Sequence, residues 1–358
     1  MISAGAEVVA VRLAYLVGAA LALLWAPSQP AFGHLFLGVF ARWDAGWFLR
    51  IAEHGYDTRQ SAAFFPLYPL CVRALALVVR SHLAAGFIIS LVAAAGAAWL
   101  LYRLTRSRDA VLLLALYPIA YVFTSVYSDG LFLLFAIAAF DAAVRGRSLG
   151  AGVFGCFAVA TRLLGLALLP ALLVLLWRRG RLALAPLLLL PAALGAYMVY
   201  LHEHFGDAFA FAHAESGYWL RHTPTLGPVT GLWDAVHSGE QGLAQLVLHL
   251  PSNGSYGKPE QFAIWNLTNL VLLVVAVWLT WLAWRRLGTA YGVYSLATLV
   301  IVLSSPAAVV PLTSLPRFLL ADFPLFIVLA PYRRVLVPVF AALGAAAAVA
   351  FSRGIWVA

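Results

Sequence analysis

The feature that most constrains this chain is a series of apolar stretches, each long enough or nearly long enough to cross a lipid bilayer as a helix. One crossing takes about 20 apolar residues. The stretches cover residues 9–26, 83–104, 110–122, 131–144, 149–177, 182–201, 262–284, 291–310, 318–330 and 335–351. This pattern predicts an all-α polytopic membrane protein, with residues 1–358 forming a single transmembrane domain.

Two of these stretches need separate interpretation. Residues 149–177 are too many for one crossing and few for two, and Thr161-Arg162 lies at their middle, so we predict a hairpin of two short helices. The total is then about eleven transmembrane helices. Residues 9–26 resemble a signal peptide. Their basic flank is only Arg12 and no clear cleavage site follows, which favours an uncleaved signal anchor.

The composition excludes several classes of protein. Hydrophobic residues make up 64% of the chain and charged residues 10%, whereas a soluble domain has about 25% charged residues. A soluble, disordered or nucleic-acid-binding protein is therefore excluded, despite the net charge of +9. Cys71 and Cys156, both in apolar surroundings, give no disulfide framework, zinc ribbon or CxxC motif. The sequence contains no phosphate-binding glycine motif, so it gives no indication of a cytoplasmic nucleotide site.

Short arginine clusters predict the orientation in the membrane. They are Arg103/Arg106/Arg108, Arg145/Arg147, Arg178/Arg179/Arg181, Arg285/Arg286 and Arg333/Arg334. The positive-inside rule makes their side cytoplasmic, together with the N-terminus. The opposite side receives two large extracytoplasmic loops, residues 28–82 and 202–260, which contain all nine histidines and most of the acidic residues. Groups suited to acid–base chemistry are therefore concentrated outside the cytoplasm.

The first of these loops contains the densest cluster of polar and aromatic residues. A helix over residues 44–54, ended by Gly55, places four of them on one stripe: Trp43, Trp47, Arg50 and His54. This helix is too short to cross the bilayer and is expected to lie in the interface. Residues 71–79, interrupted by Arg73 and closed by Arg80, predict a second interfacial helix.

Asp44 stands at the start of the first interfacial helix and has two interpretations. Aspartate is a favoured N-cap residue, and the neighbouring tryptophans are also typical of an aromatic belt. Alternatively, Asp44 is a functional carboxylate on a shelf where a lipid-linked phosphate meets a water-exposed acceptor. Both hold together if the helix start fixes the carboxylate rigidly.

Two arginines within apolar segments have the same pair of interpretations. Arg162 is costly in the middle of an apolar stretch, so a partner is expected. That partner is either a carboxylate such as Asp129, itself a candidate N-cap, or a ligand phosphate gripped by two N–H groups. Arg317 presents the same choice, with Asp322 as its candidate ion-pair partner.

The second outer loop is rich in histidine and glutamate but does not favour a metal site. His202 and His204 lack the spacing of four that a helical zinc site uses. These and the other polar residues of the loop are expected to contact a polar acceptor or face water: Glu203, His213, Glu215 and His222.

Together, the motifs resemble a known family. Three runs carry most of the resemblance: Arg42-Trp43-Asp44, Ile51-Ala52-Glu53-His54-Gly55-Tyr56 and Phe64-Phe65-Pro66-Leu67-Tyr68-Pro69. They resemble the PIG-V family, that is, GPI mannosyltransferase II and its bacterial relatives. Later motifs follow in the same order: Tyr127-Ser128-Asp129, Ala160-Thr161-Arg162-Leu163-Leu164-Gly165 and Pro316-Arg317-Phe318. The resemblance extends from about residue 40 to 330.

The resemblance implies a GT-C fold with two juxtamembrane helices in the first outer loop. It also implies transfer of a sugar, expected to be mannose, from a polyprenyl-phosphate donor with inversion and without a cofactor or metal. The acceptor would be a glycolipid, a lipid-linked glycan or a protein. The arginine-rich, nearly lysine-free composition indicates a bacterial cell membrane, with the active site on its extracytoplasmic side.

The resemblance also assigns residues. Asp44 matches the catalytic base, and Arg162 and Arg317 are candidates for binding the donor phosphate. Supporting residues are Arg42, Trp43, Trp47, Glu53, His54, Tyr56, Tyr127, Ser128 and Asp129. The chain departs from the family at Asp129, where glutamate is usual, and at Leu163, where serine is common.

The main alternative is a lipid or glycolipid transporter. Transporters place polar groups near the bilayer midplane, between repeated halves. Here the polar residues concentrate in outer loops and no repeat is visible, which favours the enzyme. A third possibility is an assembly subunit without activity, against which the Trp-Asp cluster and the two arginines argue.

Overall fold

The computed structural model describes residues 41–248 and 259–357, together with positions 6, 8–15, 17–18 and 38. In that part of the chain every regular element is a helix, and the β pairing is limited to an isolated bridge between Arg221 and Ala307. The predicted all-α class is therefore confirmed. Half of the predicted signal anchor over residues 9–26, namely positions 16 and 19–26, lies outside the described residues.

The described chain is a succession of long and short helices. The α-helices are α1 (Asp44–His54), α2 (Leu67–Val79), α3 (His82–Thr105), α4 (Arg108–Leu116), α5 (Asp129–Val144), α6 (Ser148–Thr161), α7 (Leu168–Leu176), α8 (Leu189–Phe205), α9 (Ala210–Tyr218), α10 (Pro228–Leu248), α11 (Pro259–Leu287), α12 (Thr289–Leu303), α13 (Leu315–Ala321), α14 (Phe323–Leu329) and α15 (Arg333–Ser352). Short helical turns lie at Arg59–Ala63, Ala120–Thr124, Leu163–Ala167, Trp177–Arg179, Arg181–Leu184, Ala185–Leu188 and Ala330–Tyr332.

Several helices are suited to a bilayer. Among the described residues, four helical segments are long and apolar enough to cross it: His82–Thr105, Arg181–Phe205, Glu260–Leu287 and Phe323–Ser352. Helices α2, α6 and α12 are apolar but shorter. The protein is therefore an integral membrane protein, and the count of about eleven crossings stays a prediction.

The two short helices of the first loop follow the sequence closely. Helix α1 begins at Asp44 and ends at His54, as predicted, because Gly55 adopts φ 77° and turns the chain away. Helix α2 begins at Leu67, four residues before the predicted start, directly after Pro66. It ends where predicted, at Arg80. The aromatic rings of Phe48 and Tyr68, 4.9 Å apart, join the buried faces of the two helices.

The break predicted at Arg162 is present. Helix α6 ends at Thr161, Arg162 is extended, and α7 begins at Leu168 after a 3₁₀ turn. The chain folds back at Gly165, where an added Cβ would lie 2.4 Å from the backbone nitrogen of Val159. Only glycine permits that approach, so two short helices form in place of one long one and Arg162 is left at their junction.

Close helix packing places the start of α5 against α3. An added Cβ on Gly130 would lie 2.8 Å from the carbonyl oxygen of Ser90, and the Ser90 hydroxyl donates to the carbonyl of Tyr127 at 3.0 Å. Small residues allow membrane helices to approach this closely. The contact fixes the turn that leads into Asp129.

Four of the five arginine clusters lie next to one another in space. Asp141 pairs with both Arg103 and Arg145. The side chain of Arg179 lies against Gly146, and the Arg333 Nη1 donates to Asp109 at 2.9 Å. These contacts hold the ends of α3, α5, the segment after α7 and the start of α15 together. That this end faces the cytoplasm stays a prediction.

Helix α10 was not expected from the sequence, which indicated a polar loop over residues 202–260. Its buried residues are Gly231, Ala235, Gly239 and Gly242, spaced three or four apart on one face. The close contacts of this face include Leu303 at the end of α12 and Leu270 of α11. A stripe of small residues promotes such packing, although α10 itself is not apolar enough to cross a bilayer.

Candidate functional site

Asp44 is the first residue of α1, and its carboxylate does not cap that helix. The N-cap is Trp43, which makes no side-chain capping bond. Oδ2 of Asp44 instead pairs with Nη1 of Arg317, from a segment 273 positions later. The N-cap interpretation is therefore wrong, and the carboxylate is held by tertiary structure.

Asp129 holds the two arginines together. It is buried at the start of α5, where the helix dipole favours a negative charge. Nε of Arg317 donates to both of its oxygens at 3.0 Å, Nη2 of Arg317 lies 2.9 Å from Oδ2, and Nη1 of Arg162 donates to Oδ1. The guanidinium of Arg317 also lies 4.6 Å from the ring centroid of Tyr127. Asp129 and Asp44 thus share one arginine.

These contacts show which carboxylates the two arginines pair with. Arg162 does pair with Asp129, one of the partners considered. Arg317 does not pair with Asp322, so that expectation is wrong. Asp322 is buried elsewhere and accepts a hydrogen bond from Ser295 at 2.7 Å. Because α13 ends at Ala321, Arg317 and Asp322 lie on different helical segments and point to different neighbours.

Asp44, Arg162 and Arg317 line one cavity of about 250 Å³. This volume is slightly smaller than the lower limit of typical ligand pockets, which is about 300 Å³. A smaller cavity of about 110 Å³ shares three lining residues with it, Thr313, Ser314 and Trp356. The walls of the smaller cavity are mainly apolar and come from α11 and the segment before α13. The larger cavity, called the charged chamber below, therefore adjoins an apolar one.

A second ion pair faces the charged chamber and was not singled out by the sequence. Nε of Arg221 lies 3.3 Å from Oε2 of Glu215, and its two Nη atoms donate to the carbonyls of Ser305 at 2.8 Å and Thr313 at 2.9 Å. Burial raises the pKa of the Glu215 carboxyl and lowers the pKa of the Arg221 guanidinium. The ring of Phe318 lies between Arg221 and Arg162, with its centroid 5.9 and 5.7 Å from the two guanidinium carbons.

Backbone strain concentrates around this chamber. Five non-glycine residues of the described chain have positive φ, and three of them adjoin it. Trp43 (φ 58°) precedes Asp44, Leu220 (φ 53°) precedes Arg221, and Ser314 (φ 67°) begins α13, which carries Arg317. Such conformations persist only where the surrounding structure enforces them, and they recur at functional sites.

Part of the chain resembles known proteins in sequence. Residues 29–182 match the mannosyltransferase (PIG-V) family. The family resemblance read from the motifs is thereby confirmed. Asp44, Asp129 and Arg162 lie within the PIG-V match, whereas Glu215 and Arg317 lie beyond it.

Three curated relatives align with part of the chain. "GPI mannosyltransferase 2" of Drosophila melanogaster is 33% identical over 114 residues, 27% of this chain and 25% of that protein. "GPI alpha-1,6-mannosyltransferase 2" is 32% identical over 148 residues in Rattus norvegicus and over 157 in Mus musculus. Those alignments cover 36% and 38% of this chain, and 30% and 31% of the relatives. The matched part is thus less than a third of each relative. No solved structure matches the chain.

Several supporting residues predicted from the PIG-V resemblance lie at or beside the chamber. Ser128 lines it, and Tyr127 packs under Arg317 and donates its hydroxyl to the carbonyl of Arg42 at 3.1 Å. Arg42 itself donates to the carbonyl of Ser352 at 2.8 Å, which ties the start of the PIG-V motif to the end of α15.

The two predicted tryptophans pack on aromatic rings around the chamber. The ring of Trp43 meets that of Trp356 edge to face at 5.4 Å, and the ring of Trp47 stacks on Phe64 at 5.9 Å. Phe64 and Trp356 line the chamber. The tryptophans therefore support its wall from behind.

The rest of the first PIG-V motif lies elsewhere. Glu53 and His54 line a separate, open cavity of about 800 Å³, where Glu53 Oε1 is 3.3 Å from Nδ1 of His82. Tyr56 is buried, and its hydroxyl donates to the carbonyl of Phe64 at 2.6 Å. The structure does not bring these three side chains to Asp44.

The histidines of the second outer loop also have local partners. His204 is hydrogen-bonded to the carbonyl of Tyr56 at 2.6 Å, and His213 pairs with Asp207 at 2.7 Å. Among the described residues, no group of three or more histidine, cysteine or acidic side chains is arranged to hold a metal ion.

Proposed function

We propose that the protein is a membrane glycosyltransferase of the GT-C type that moves mannose from a polyprenyl-phosphate donor to an acceptor hydroxyl with inversion. The site would lie on the extracytoplasmic face of a bacterial cell membrane. The acceptor would be a glycolipid, a lipid-linked glycan or a protein. The observation that carries the proposal is the charged chamber, in which Asp44 of α1, Arg162 of the α6–α7 junction and Arg317 of α13 converge.

Asp44 has the placement required of a general base. Oδ2 is held by Arg317, whereas Oδ1 has no hydrogen-bond partner among the described residues. An acceptor hydroxyl that attacks C1 of the donor sugar would give its proton to Oδ1 as the new C1–O bond forms. The bond from C1 to the phosphate oxygen would break on the opposite side, and polyprenyl phosphate would leave.

The contacts of the two arginines support different roles for them. The three nitrogens of Arg317 are all engaged by Asp44 and Asp129, so Arg317 is a positioning residue for the base. Arg162 uses only Nη1 for Asp129, and its side chain lines the chamber. We therefore assign the donor phosphate to Arg162, which would stabilise the negative charge on the leaving group.

The adjoining apolar cavity supports a lipid-linked donor. Its walls include Trp265 and Leu272 of α11 and Val310 of the segment between α12 and α13, and α11 is one of the helices suited to crossing the bilayer. A polyprenyl chain lying in the membrane would enter along this side, with its phosphate reaching the chamber past Ser314.

The experiment is a transfer assay with the full-length protein in nanodiscs, radiolabelled polyprenyl-phosphate mannose and a membrane extract as acceptor. Asp44→Asn is expected to fold normally and to lose about 10²–10⁴-fold in turnover, the usual contribution of a general base. Asp57→Asn, on an exposed pair with Arg50, is the matched control and should retain activity.

Two outcomes would overturn the proposal. A fully active Asp44→Asn variant would remove Asp44 from the mechanism. Movement of labelled lipid across vesicles by the wild-type protein, without sugar transfer, would identify a transporter.

A further inference from the structure

A further polar side chain lines the chamber that holds the proposed catalytic groups and has no role in the transfer step as described. This residue is Glu215 of α9, a helix in the predicted second outer loop over residues 202–260. Oε2 is tied to Arg221, and Oε1 has no hydrogen-bond partner among the described residues. The carboxylate is therefore fixed at one oxygen and available at the other.

The anchoring of Glu215 is more extensive than one ion pair. Arg221 is held by the carbonyls of Ser305 and Thr313, its own N–H donates to the carbonyl of Glu215 at 3.1 Å, and its backbone forms the β-bridge with Ala307. These contacts connect α9 with the segment that leads into Arg317. Glu215 is thus held at a set position relative to the proposed catalytic groups.

The surroundings of Glu215 have the chemistry of a carbohydrate site. The indole of Trp219 lines the same chamber and is fixed by the rings of Phe64 at 5.5 Å and Trp47 at 6.0 Å. Pockets that recognise small molecules combine such apolar walls with a few placed polar groups. A neutral ring with several hydroxyls can donate to a carboxylate and lie on an indole, whereas an anionic group would be repelled by Glu215.

We propose that Glu215, positioned by Arg221, accepts hydrogen bonds from ring hydroxyls of a hexosyl group and sets the sugar selectivity of the chamber. This inference rests on the proposed function, because it concerns the same chamber. The hexosyl group belongs to the donor or to the acceptor, and the two sources share this chemistry.

The test measures binding rather than transfer, with the full-length protein in nanodiscs. One arm compares polyprenyl-phosphate mannose with its 2-, 3-, 4- and 6-deoxymannose forms; the other compares octyl mannoside with the same deoxy series. A hydroxyl bonded to a charged group is worth about 10–100-fold in affinity. Wild-type protein is expected to lose that factor for at least one deoxy form in one arm, and the arm identifies the source.

Glu215→Gln is expected to bind the parent sugar and that deoxy form almost equally, and Glu215→Asp to restore part of the difference. Glu240→Gln, on the exposed face of α10, is the matched control and should discriminate as the wild-type protein does. If Glu215 has a purely structural role, Glu215→Gln should weaken the binding of all sugars by the same factor and leave the affinity ratio of parent to deoxy sugar unchanged. That result would overturn the inference. Failure of the wild-type protein to distinguish any deoxy form would do the same.

The outcome is distinguishable from failure of the proposed function. If the chain is not a transferase, no variant or wild-type protein transfers label, whatever the binding ratios are. If only the inference fails, wild-type transfer persists, Asp44→Asn abolishes it, and the Glu215 variants keep the wild-type sugar preference.

Discussion

The two ends of helix α5 carry the same charges in different settings. At its start, Asp129 is held by Arg162 and Arg317; in its last turn, Asp141 is held by Arg103 and Arg145. Both aspartates are buried. The arginines of Asp129 are 16% and 8% exposed, whereas those of Asp141 are 30% and 43% exposed. Two clusters of one composition therefore differ in their access to water.

The clusters also differ in what they face. Arg162 and Arg317 line the chamber that contains Asp44, whereas Asp141 lines none of the cavities described above. Arg145 is only one helical turn from Asp141, and Arg103 comes from the neighbouring helix α3. A buried aspartate with two arginines is thus not a functional site by itself. The difference lies in the cavity and in the third group, Asp44, that one of the arginines also holds.

The largest expected difference between the clusters is in the two aspartate variants. Asp129→Asn leaves two buried arginines without their carboxylate, which costs about 3–5 kcal/mol of stability for a broken buried pair. It also frees Arg317 from its fixed position, so turnover per folded molecule should fall by about 10²-fold. Asp141→Asn should lower stability while folded enzyme keeps its activity. Transfer assays on protein normalised for folded fraction would check this, and equal activity losses would contradict it.

The second largest difference between the clusters is expected in turnover when one arginine of each cluster is replaced by lysine. Arg317→Lys keeps the charge but cannot donate to Asp44 and Asp129 together through a planar fork. We expect a loss of about 10–10²-fold in kcat from misplacement of the base. Arg103→Lys, at the other cluster, should leave kcat at the wild-type value. Measuring kcat for both variants tests this expectation. A wild-type kcat in the Arg317→Lys enzyme would show that Asp44 needs no positioning.

A pH dependence is expected only at the chamber. Burial raises the pKa of Glu215 above that of a free glutamate, about 4.3, so its carboxylate is protonated at a higher pH than usual. If Glu215 accepts sugar hydroxyls, KM should rise as the pH falls through that raised pKa. Wild-type and Asp141→Asn proteins should both show the rise, and Glu215→Gln should remove it. KM measured across the mildly acidic range would test the sign.

The smallest expected effect concerns the half-exposed arginine of the Asp141 cluster. Arg145 and Asp141 are four residues apart on one helix, and an ion pair with such an exposed arginine contributes little to stability. Arg145→Ala should therefore lower the thermal midpoint slightly, and less at high salt than at low salt. A large, salt-independent loss of stability would show that the two clusters are energetically alike.

Much of the local structure was predictable from the sequence. The bounds of α1, the end of α2 at Arg80 and the break at Arg162 followed from helix periodicity, glycine placement and the cost of a charge in an apolar stretch. Helix α10 was missed because it is polar, although the spacing of Gly231, Ala235, Gly239 and Gly242 signals a packing face.

Only some of the residues that line the chamber could be predicted from the sequence. Asp44 and Arg162 belong to motifs within residues 29–182, the part that matches the PIG-V family. Glu215 and Arg221 lie outside it, in a segment where neither spacing nor hydropathy distinguishes them from other polar loop residues. Arg317 was found, but the carboxylate considered for it was the nearby Asp322, whereas its partners are Asp44 and Asp129.

By itself, the sequence determined the membrane character of the chain, the start and end of its first short helix, and its resemblance to the PIG-V family over residues 29–182. These depend on composition, local periodicity and short motifs, all of which can be read along the chain. The tertiary structure decided which charges meet: Arg317 with Asp44 and Asp129, and Glu215 with Arg221 in the wall of the same chamber. Those contacts join residues as far as 273 positions apart, and helix packing brings them together.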